Sequence, residues 1–242
     1  DSKSVNIEYV SANPTGPLHI GHVRGAVLGD AIANVLSFVG YKVIKEYYVN
    51  DAGAQINNLS KSLYYRYNEL LGVNNKKLQD NFYPGSYLID IASKIIEKDN
   101  QKWVNEIDEK WLDYFRNFSI IEIMKLIKYD LNLLNINHDI FFYESDLHKN
   151  LKIEIVLKKL NELGLIYEGT IPPPKDAKFT DKKSDVQLLF CSKKFGDDID
   201  RPIKKTDGSY TYFAADMAYH NDKIERGYDE IINIWGADHS GY

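Results

Sequence analysis

The chain has 242 residues, of which 44% are hydrophobic, so it can bury a sizeable core as one large domain or as a domain with an insertion. Its formal net charge of −5 argues against a general basic nucleic-acid binder, although a local patch for RNA is compatible with it. The single cysteine, Cys191, excludes an internal disulfide and a cysteine-rich zinc site, and no apolar run is long enough for a membrane span. We therefore expect an intracellular globular protein with no membrane partner.

The N-terminal part of the chain predicts a strand–helix–strand unit. Residues 5–10 (VNIEYV) and 41–49 (YKVIKEYYV) have the patterns of two strands, and residues 21–39 form a predicted helix that Gly40 ends. The apolar residues at helical spacing in this helix are Val23, Val27, Ala31, Val35 and Phe38. A helical crossover between the two strands requires them to be parallel, which predicts an α/β fold.

The middle of the chain is predicted to be mainly helical. Residues 50–53 (NDAG) are expected to cap a helix that runs to about residue 71, and helical sequence continues to about residue 134. A short strand over 139–144 and a helix over 151–163, ended by Gly164, follow. We interpret His138, His148 and His220 as surface or loop residues.

The C-terminal part changes character at about residue 165. Prolines, turn residues and short alternating pieces up to about residue 205 predict a small β-rich insertion. Helical order returns over 212–222, and residues 230–235 (EIINIW) predict a buried strand.

Two histidines stand where the first strand gives way to the first helix, in SANPTGPLHIGH (residues 11–22). Ligands of open parallel sheets bind at the carboxyl ends of strands, and a helix start offers free N–H groups and a positive dipole end. His19 and His22 share a helix face and can donate hydrogen bonds to phosphate, while Gly21 leaves room for a ligand. The pattern favours a phosphate site, most simply for ATP. A metal chelated by both histidines is the alternative, but no third ligand is evident.

These residues resemble the HIGH motif of class I aminoacyl-tRNA synthetases. The continuation through residue 55 (GHVRGAVLGDAIANVLSFVGYKVIKEYYVNDAGAQ) is similar to the arginyl-tRNA synthetases in particular, and residues 209–242 (SYTYFAADMAYHNDKIERGYDEIINIWGADHSGY) agree with that resemblance. The resemblance covers nearly the whole chain. It implies a Rossmann-like, HUP-type catalytic domain with a helical stretch and a small β-rich insertion.

The resemblance also implies site residues. His19 and His22 would bind the ATP phosphates and stabilise the pentavalent transition state. The residues implied for ATP are His19, Gly21, His22, Gly236, Asp238 and His239. Those implied for arginine are Glu8, Ser11 and Asn13 near its α-amino and carboxylate groups, and Tyr212 and Asp216 at its guanidinium. Asp51 and Gln55 match a further family motif, in which we read Asp51 mainly as a helix cap.

The chemistry of the residues supports the guanidinium assignment independently. Tyr212 and Asp216 are four residues apart, so on a helix they point the same way, and a carboxylate suits a planar cation. Plainer interpretations stay open at this point. Asp216 fits a solvated helix acid, Tyr212 a core aromatic residue, and Asp238 a helix N-cap.

The resemblance implies an arginine–tRNA ligase of the cytoplasm. ATP with Mg²⁺ would activate arginine to arginyl-adenylate, which then esterifies tRNA(Arg); no protein-bound metal and no DNA partner are expected. The catalytic domain would comprise a first half (1–164), the insertion (about 165–205) and the start of a second half (206–242). A lysine loop and an anticodon-binding domain would lie outside the chain, so we expect the chain alone to be nearly inactive in adenylation.

Gly16 departs from part of the family, because some members have a lysine three residues before the first HIGH histidine. We therefore expect a KMSKS-like lysine loop to neutralise the pyrophosphate. The alternatives are another class I synthetase, a small H-x-G-H adenylyltransferase and a non-catalytic synthetase-like module. Asp216 and the missing cysteine cluster disfavour glutamate and cysteine enzymes, the long helical segment disfavours the adenylyltransferase, and the retained His19, His22 and Asp216 disfavour the non-catalytic module.

Overall fold

The computed structural model describes residues 2–73, 79–170 and 186–236. The first elements in chain order are β1 (Ser4–Glu8), α1 (Ile20–Phe38), β2 (Lys42–Val49), α2 (Ala54–Leu70), α3 (Tyr87–Asp99), α4 (Asp108–Leu133) and β3 (Ile140–Tyr143). There follow α5 (Glu144–Lys149), α6 (Lys152–Glu162), β4 (Ile166–Gly169), β5 (Gln187–Phe190), a 3-10 turn (Ser192–Phe195), β6 (Arg201–Pro202), α7 (Tyr212–Glu225) and β7 (Glu230–Asn233). The chain divides into two compact units, Asp1–Tyr143 with Asp229–Tyr242, and Glu144–Tyr228.

The first unit is built on a parallel sheet with the strand order β3-β2-β1-β7. On one side of β1, Glu8 is in register with Glu46 of β2, and on the other side it is in register with Asn233 of β7. The strand order therefore reverses at β1, and the carboxyl ends of β1 and β7 lie side by side. This confirms the predicted α/β fold, and such a reversal is where open α/β sheets bind their ligands.

The side chains of β1 and β2 alternate between two buried faces. Ile7 of β1, Tyr9 just after it, and Tyr47 and Val49 of β2 contribute to a core that also includes residues of α1 to α4. Asn6, Glu8 and Glu46 occupy the alternate positions and are buried as well. Polar groups are thus enclosed on the face of the sheet that does not carry the apolar core.

The predicted first helix is confirmed as α1, but its covered face is not the one with large apolar residues. The buried residues are Ala26, Gly29 and Ala33. Among the residues that the structure describes, Val27, Val35 and Phe38 stay exposed, by 52%, 63% and 92%. The reason is a close approach to β1, since a Cβ atom at Gly29 would lie 2.2 Å from Cγ of Tyr9. Small residues face the sheet because only they fit there.

The start of α2 refines the predicted position of its N-cap. The N-cap of α2 is Gly53, with φ of +82°, a residue that has no side chain of its own to make a capping hydrogen bond. The chain enters the helix at a positive φ, a conformation that favours glycine. The N-cap thus falls on the last residue of the predicted capping segment 50–53, Gly53, and not on Asp51.

The second unit combines α5, α6 and α7 with an antiparallel sheet in the order β4-β5-β6. β4 pairs with β5 from Ile166↔Phe190 to Gly169↔Gln187, which confirms a small β-rich segment in this part of the chain. Residues 171–185 of the predicted insertion lie outside the described residues. Within the described ranges, no helix is both long and apolar enough to cross a membrane.

Candidate active site

His19 and His22 stack at the start of α1, with ring centroids 3.6 Å apart and an interplanar angle of 18°. His19 is the N-cap, and its Nδ1 accepts a hydrogen bond from the N–H of Gly21 at 3.1 Å. Nδ1 of His22 accepts from the N–H of His19 at 3.4 Å, which completes a reciprocal capping box. The two rings thus satisfy N–H groups that the helix itself leaves without partners.

These contacts determine where the histidines carry their protons. A ring nitrogen that accepts a hydrogen bond has no proton, so the neutral rings hold theirs on Nε2. Burial, and then the neighbouring His19, lower the pKa of His22 below its ordinary value of 6.5. His22 is therefore neutral at pH 7 and presents an Nε2–H donor. Donors at a helix N-terminus suit a bound anion such as phosphate.

The chain turns sharply between β1 and the histidines. Val10 and Ser11 both have left-handed backbones, with φ of +68° and +43°, which L-residues with side chains seldom adopt. The turn brings the Ser11 hydroxyl back to β1, where Oγ donates a hydrogen bond to Oε1 of Glu8 at 2.9 Å. The same Oγ accepts from the backbone N–H of Tyr48 at 3.0 Å. Strained backbone beside a buried carboxylate is typical of functional sites.

Asn13 is joined to α2 by a side-chain hydrogen bond. Its Nδ2 donates to Oε1 of Gln55 at 2.9 Å, and both side chains are exposed. The sequence identified Gln55 as part of a family motif but gave no sign of this contact. The structure thus brings the first motif and the DAGAQ segment together.

Tyr87 of α3 is a residue that the sequence interpretation missed. Its hydroxyl donates to the backbone carbonyl of Thr15 at 2.5 Å, and burial raises its pKa to about 12, so it stays a donor at neutral pH. A Cβ atom at Gly16 would lie 3.2 Å from the same hydroxyl. Tyr87 therefore packs closely on the loop before His19. No local pattern predicts a contact between residues so far apart in the chain.

Gly236 follows β7 and is exposed. The N–H of Ile234 donates to the backbone carbonyl of Glu8 at 2.9 Å, so the chain leaves β7 at the sheet edge where β1 also ends. Asp238 and His239, the other two residues expected to contact adenosine, lie outside the described residues. Within the part of the chain that is described, no group of three or more His, Cys, Asp or Glu side chains is arranged to hold a metal ion.

Tyr212 and Asp216 belong to the second unit, where they lie one helical turn apart on α7. Tyr212 is the first residue of the helix and is 54% exposed, so it is not a core aromatic residue. The backbone carbonyl of Asp216 lies 2.9 Å from Nδ1 of His220. The pair thus shares a helix face, as its spacing predicts.

His138 lies in a loop, as expected, but its ring is not at the surface. Ring centroids of Tyr9, Tyr47 and Phe141 lie 4.3, 5.5 and 5.6 Å from its own. Neither ring nitrogen makes a hydrogen bond of normal geometry, and both are buried. Burial lowers the pKa of His138 to about 4, and the nearby backbone of Tyr9 only partly offsets this. This histidine packs among the aromatic rings of Tyr9, Tyr47 and Phe141.

Known proteins match the chain along its whole length. Residues 1–240 match the family described as tRNA synthetases class I (R), catalytic domain. An arginine–tRNA ligase of Rickettsia bellii is 51% identical over 241 residues, which is 100% of this chain and 42% of the relative. One from Ruegeria sp. (strain TM1040) is 50% identical over 240 residues, 99% of this chain and 41% of the relative. The chain thus spans about two fifths of the length of these relatives.

Solved structures agree. A crystal structure assigned to an arginyl-tRNA synthetase of Campylobacter jejuni superposes with a TM-score of 0.85 at 37% identity. The match covers 100% of this chain and 49% of that chain. The Thermus thermophilus arginyl-tRNA synthetase has a TM-score of 0.60 at 21% identity, with 91% of this chain and 36% of that chain covered. The second likeness concerns the fold alone.

Proposed function

We propose that the protein is an arginine–tRNA ligase, because the chain belongs to the catalytic-domain family of the arginine-specific class I tRNA synthetases. The observation that carries the proposal is the stacked pair of His19 and His22. Their Nε2–H groups lie at a helix N-terminus, beside the point where the strand order reverses. Such a position suits an anion such as the phosphate groups of a nucleoside triphosphate.

The proposed first reaction activates arginine. A carboxylate oxygen of arginine attacks the α-phosphorus of ATP, the bond from that phosphorus to the bridging oxygen breaks, and pyrophosphate leaves with its electron pair. His19 and His22 donate hydrogen bonds to phosphate oxygens, which strengthen as negative charge develops in the transition state. ATP enters as its Mg²⁺ complex, and Gly236, Asp238 and His239 are the proposed adenosine contacts.

The proposed second reaction transfers arginine to tRNA(Arg). A hydroxyl of the terminal ribose attacks the carbonyl carbon of arginyl-adenylate, loses its proton and displaces AMP. Neither reaction requires a covalent protein intermediate, so the site needs positioning and charge neutralisation more than a nucleophile. The setting proposed for this chemistry is the cytoplasm.

Arginine recognition is proposed for five residues. Glu8 offers a carboxylate for the α-ammonium group, with Ser11 and Asn13 beside it. Tyr212 and Asp216 offer a ring and a carboxylate for the guanidinium. The proposed catalytic domain comprises a first half (1–164), an insertion (about 165–205) and the start of a second half (206–242).

Amino-acid-dependent exchange of pyrophosphate into ATP tests the proposal on the complete protein with its tRNA. Exchange should depend on arginine, and charged tRNA(Arg) should accumulate when all substrates are present. Exchange with another amino acid and none with arginine would overturn the proposed substrate. Exchange that needs no amino acid would point instead to a different adenylyltransferase.

A further inference from the structure

Ser11 has a hydroxyl whose hydrogen bonds can be counted. A serine hydroxyl has one proton to donate and two lone pairs that accept. The proton goes to Oε1 of Glu8 at 2.9 Å, and one lone pair accepts from the N–H of Tyr48 at 3.0 Å. What remains is a single lone pair, so the hydroxyl has no proton for a further acceptor.

The backbone explains why the hydroxyl is held in this place. Tyr9 donates to the carbonyl of Glu46 at 3.3 Å, but its own carbonyl accepts from the N–H of Ser11 at 3.0 Å. The next rung of the parallel ladder would join the N–H of Tyr48 to that carbonyl. The left-handed turn at Val10 and Ser11 removes this rung, and Oγ of Ser11 accepts from Tyr48 instead. The hydroxyl is thus fixed to the sheet and not free to rotate toward a ligand.

Glu8 is the group that this arrangement orients. Its side chain belongs to the end of β1, is only 4% exposed, and is in register with Glu46. A hydrogen bond to a charged group is stronger than one between neutral groups, so the Ser11 contact selects one orientation of the carboxylate.

We propose that Ser11 is a positioning residue, which orients the Glu8 carboxylate toward the α-ammonium group of arginine and does not itself bind the arginine carboxylate. A hydroxyl without a spare proton cannot donate to a carboxylate, whereas the Glu8 carboxylate that it holds attracts an ammonium group. This inference rests on the proposed function, because it assumes that the ligand is arginine.

Two analogues of arginine separate the proposed role from direct contact with the carboxylate. Agmatine lacks the α-carboxylate, and argininic acid has a hydroxyl in place of the α-ammonium group. Each is measured as an inhibitor of arginine-dependent exchange in the complete protein. Ser11→Ala should weaken the binding of arginine and of agmatine by about tenfold each. The binding of argininic acid should stay unchanged. Weaker binding of arginine with unchanged binding of agmatine would overturn the proposal, because it would show that Ser11 contacts the arginine carboxylate.

A matched variant and a double-mutant cycle complete the test. Ser11→Gly removes the same hydroxyl but suits a left-handed backbone, so it should reproduce the Ser11→Ala result if the hydroxyl is the cause. Ser11→Ala combined with Glu8→Gln should bind arginine no more weakly than Glu8→Gln alone, because Ser11 acts through Glu8. Losses of arginine affinity that add in the double variant would overturn the inference. Absence of arginine-dependent exchange in the unchanged protein would instead overturn the proposed function.

Discussion

His19 illustrates how one side chain can serve both structure and chemistry. Its Nδ1 accepts from the N–H of Gly21 and caps α1, while the proton on Nε2 points away from the helix backbone. The sequence predicted that His19 and His22 share a face. It did not predict that each ring would also accept a backbone hydrogen bond, which is what determines the tautomer.

Two substitutions separate these roles of His19. His19→Asn keeps a side-chain acceptor at the N-cap, so the free energy of unfolding should stay nearly unchanged while exchange activity falls about 100-fold or more. His19→Ala should lose similar activity and also about 1 kcal/mol of stability. Chemical denaturation and pyrophosphate exchange measure the two effects. Full activity in the Asn variant would contradict a phosphate contact by Nε2.

His138 predicts an acid-sensitive component of stability. Its pKa is about 4 in the fold and 6.5 for an unperturbed histidine, so the unfolded chain binds the proton more tightly. Neutral His138 therefore contributes about 3 kcal/mol to the free energy of unfolding. This contribution is complete above pH 6.5 and is lost as the pH falls toward 4.

His138→Phe tests this component, because phenylalanine fills the same space among Tyr9, Tyr47 and Phe141 without a titrating group. Urea denaturation at pH 7 and at pH 4.5 should show a smaller loss of unfolding free energy in the variant than in the unchanged chain. An equal loss in both proteins would show that His138 is protonated as easily in the fold as in the unfolded chain.

Asp216 should affect arginine binding more than the chemical step. Asp216→Asn removes the charge with little change of shape, so the KM for arginine should rise about 30-fold or more while kcat changes little. Asp222→Asn is the control, since Asp222 lies on the same helix and pairs with Lys152 and Arg226. Steady-state exchange kinetics distinguish the two variants. A fall in kcat with unchanged KM would contradict the guanidinium assignment.

At the scale of the element, α1 depends on a glycine that its periodicity does not reveal. The apolar spacing correctly predicted a helix, but Val27, Val35 and Phe38 are not the residues that face the sheet. Gly29 lies against the Tyr9 ring, where a Cβ atom would be 2.2 Å from Cγ. Apolar periodicity predicts a helix with an apolar stripe. The face that packs on the sheet, however, is the one whose side chains are small enough for close approach.

Gly29 and Gly25 form a matched pair for testing this packing. Gly29→Ala should lower the free energy of unfolding by about 1–3 kcal/mol, because the helix must move away from Tyr9. Gly25→Ala meets nothing within 4 Å and should raise it by up to about 1 kcal/mol through better helix propensity. Thermal and urea denaturation of both variants provide the comparison. Equal changes of unfolding free energy in the two variants would show that the Tyr9 ring moves aside without loss of stability.

At the scale of the whole molecule, the strand order brings together distant segments of the first unit. Glu8 near the start of the chain is in register with Asn233 near its end, so Gly236 follows β7 at the edge of the sheet where β1 also ends. Ser4 and Asp229 also join these distant segments, through a hydrogen bond of 2.7 Å from the N–H of Ser4. Sequence spacing has no information about this neighbourhood, because pairing of strands is a long-range property.

The sequence by itself determined the class of fold, the positions of most helices and strands, and the family. Those features depend on local periodicity, on glycine and proline breaks, and on motifs such as residues 11–22 that are contiguous in the chain. Only the tertiary structure decided that Gly53 is the N-cap of α2, that the His138 ring is enclosed, and that Ser11 holds Glu8. Each of these depends on atoms brought together by the close packing of the sheet with its helices and turns, and packing joins residues that no local pattern relates.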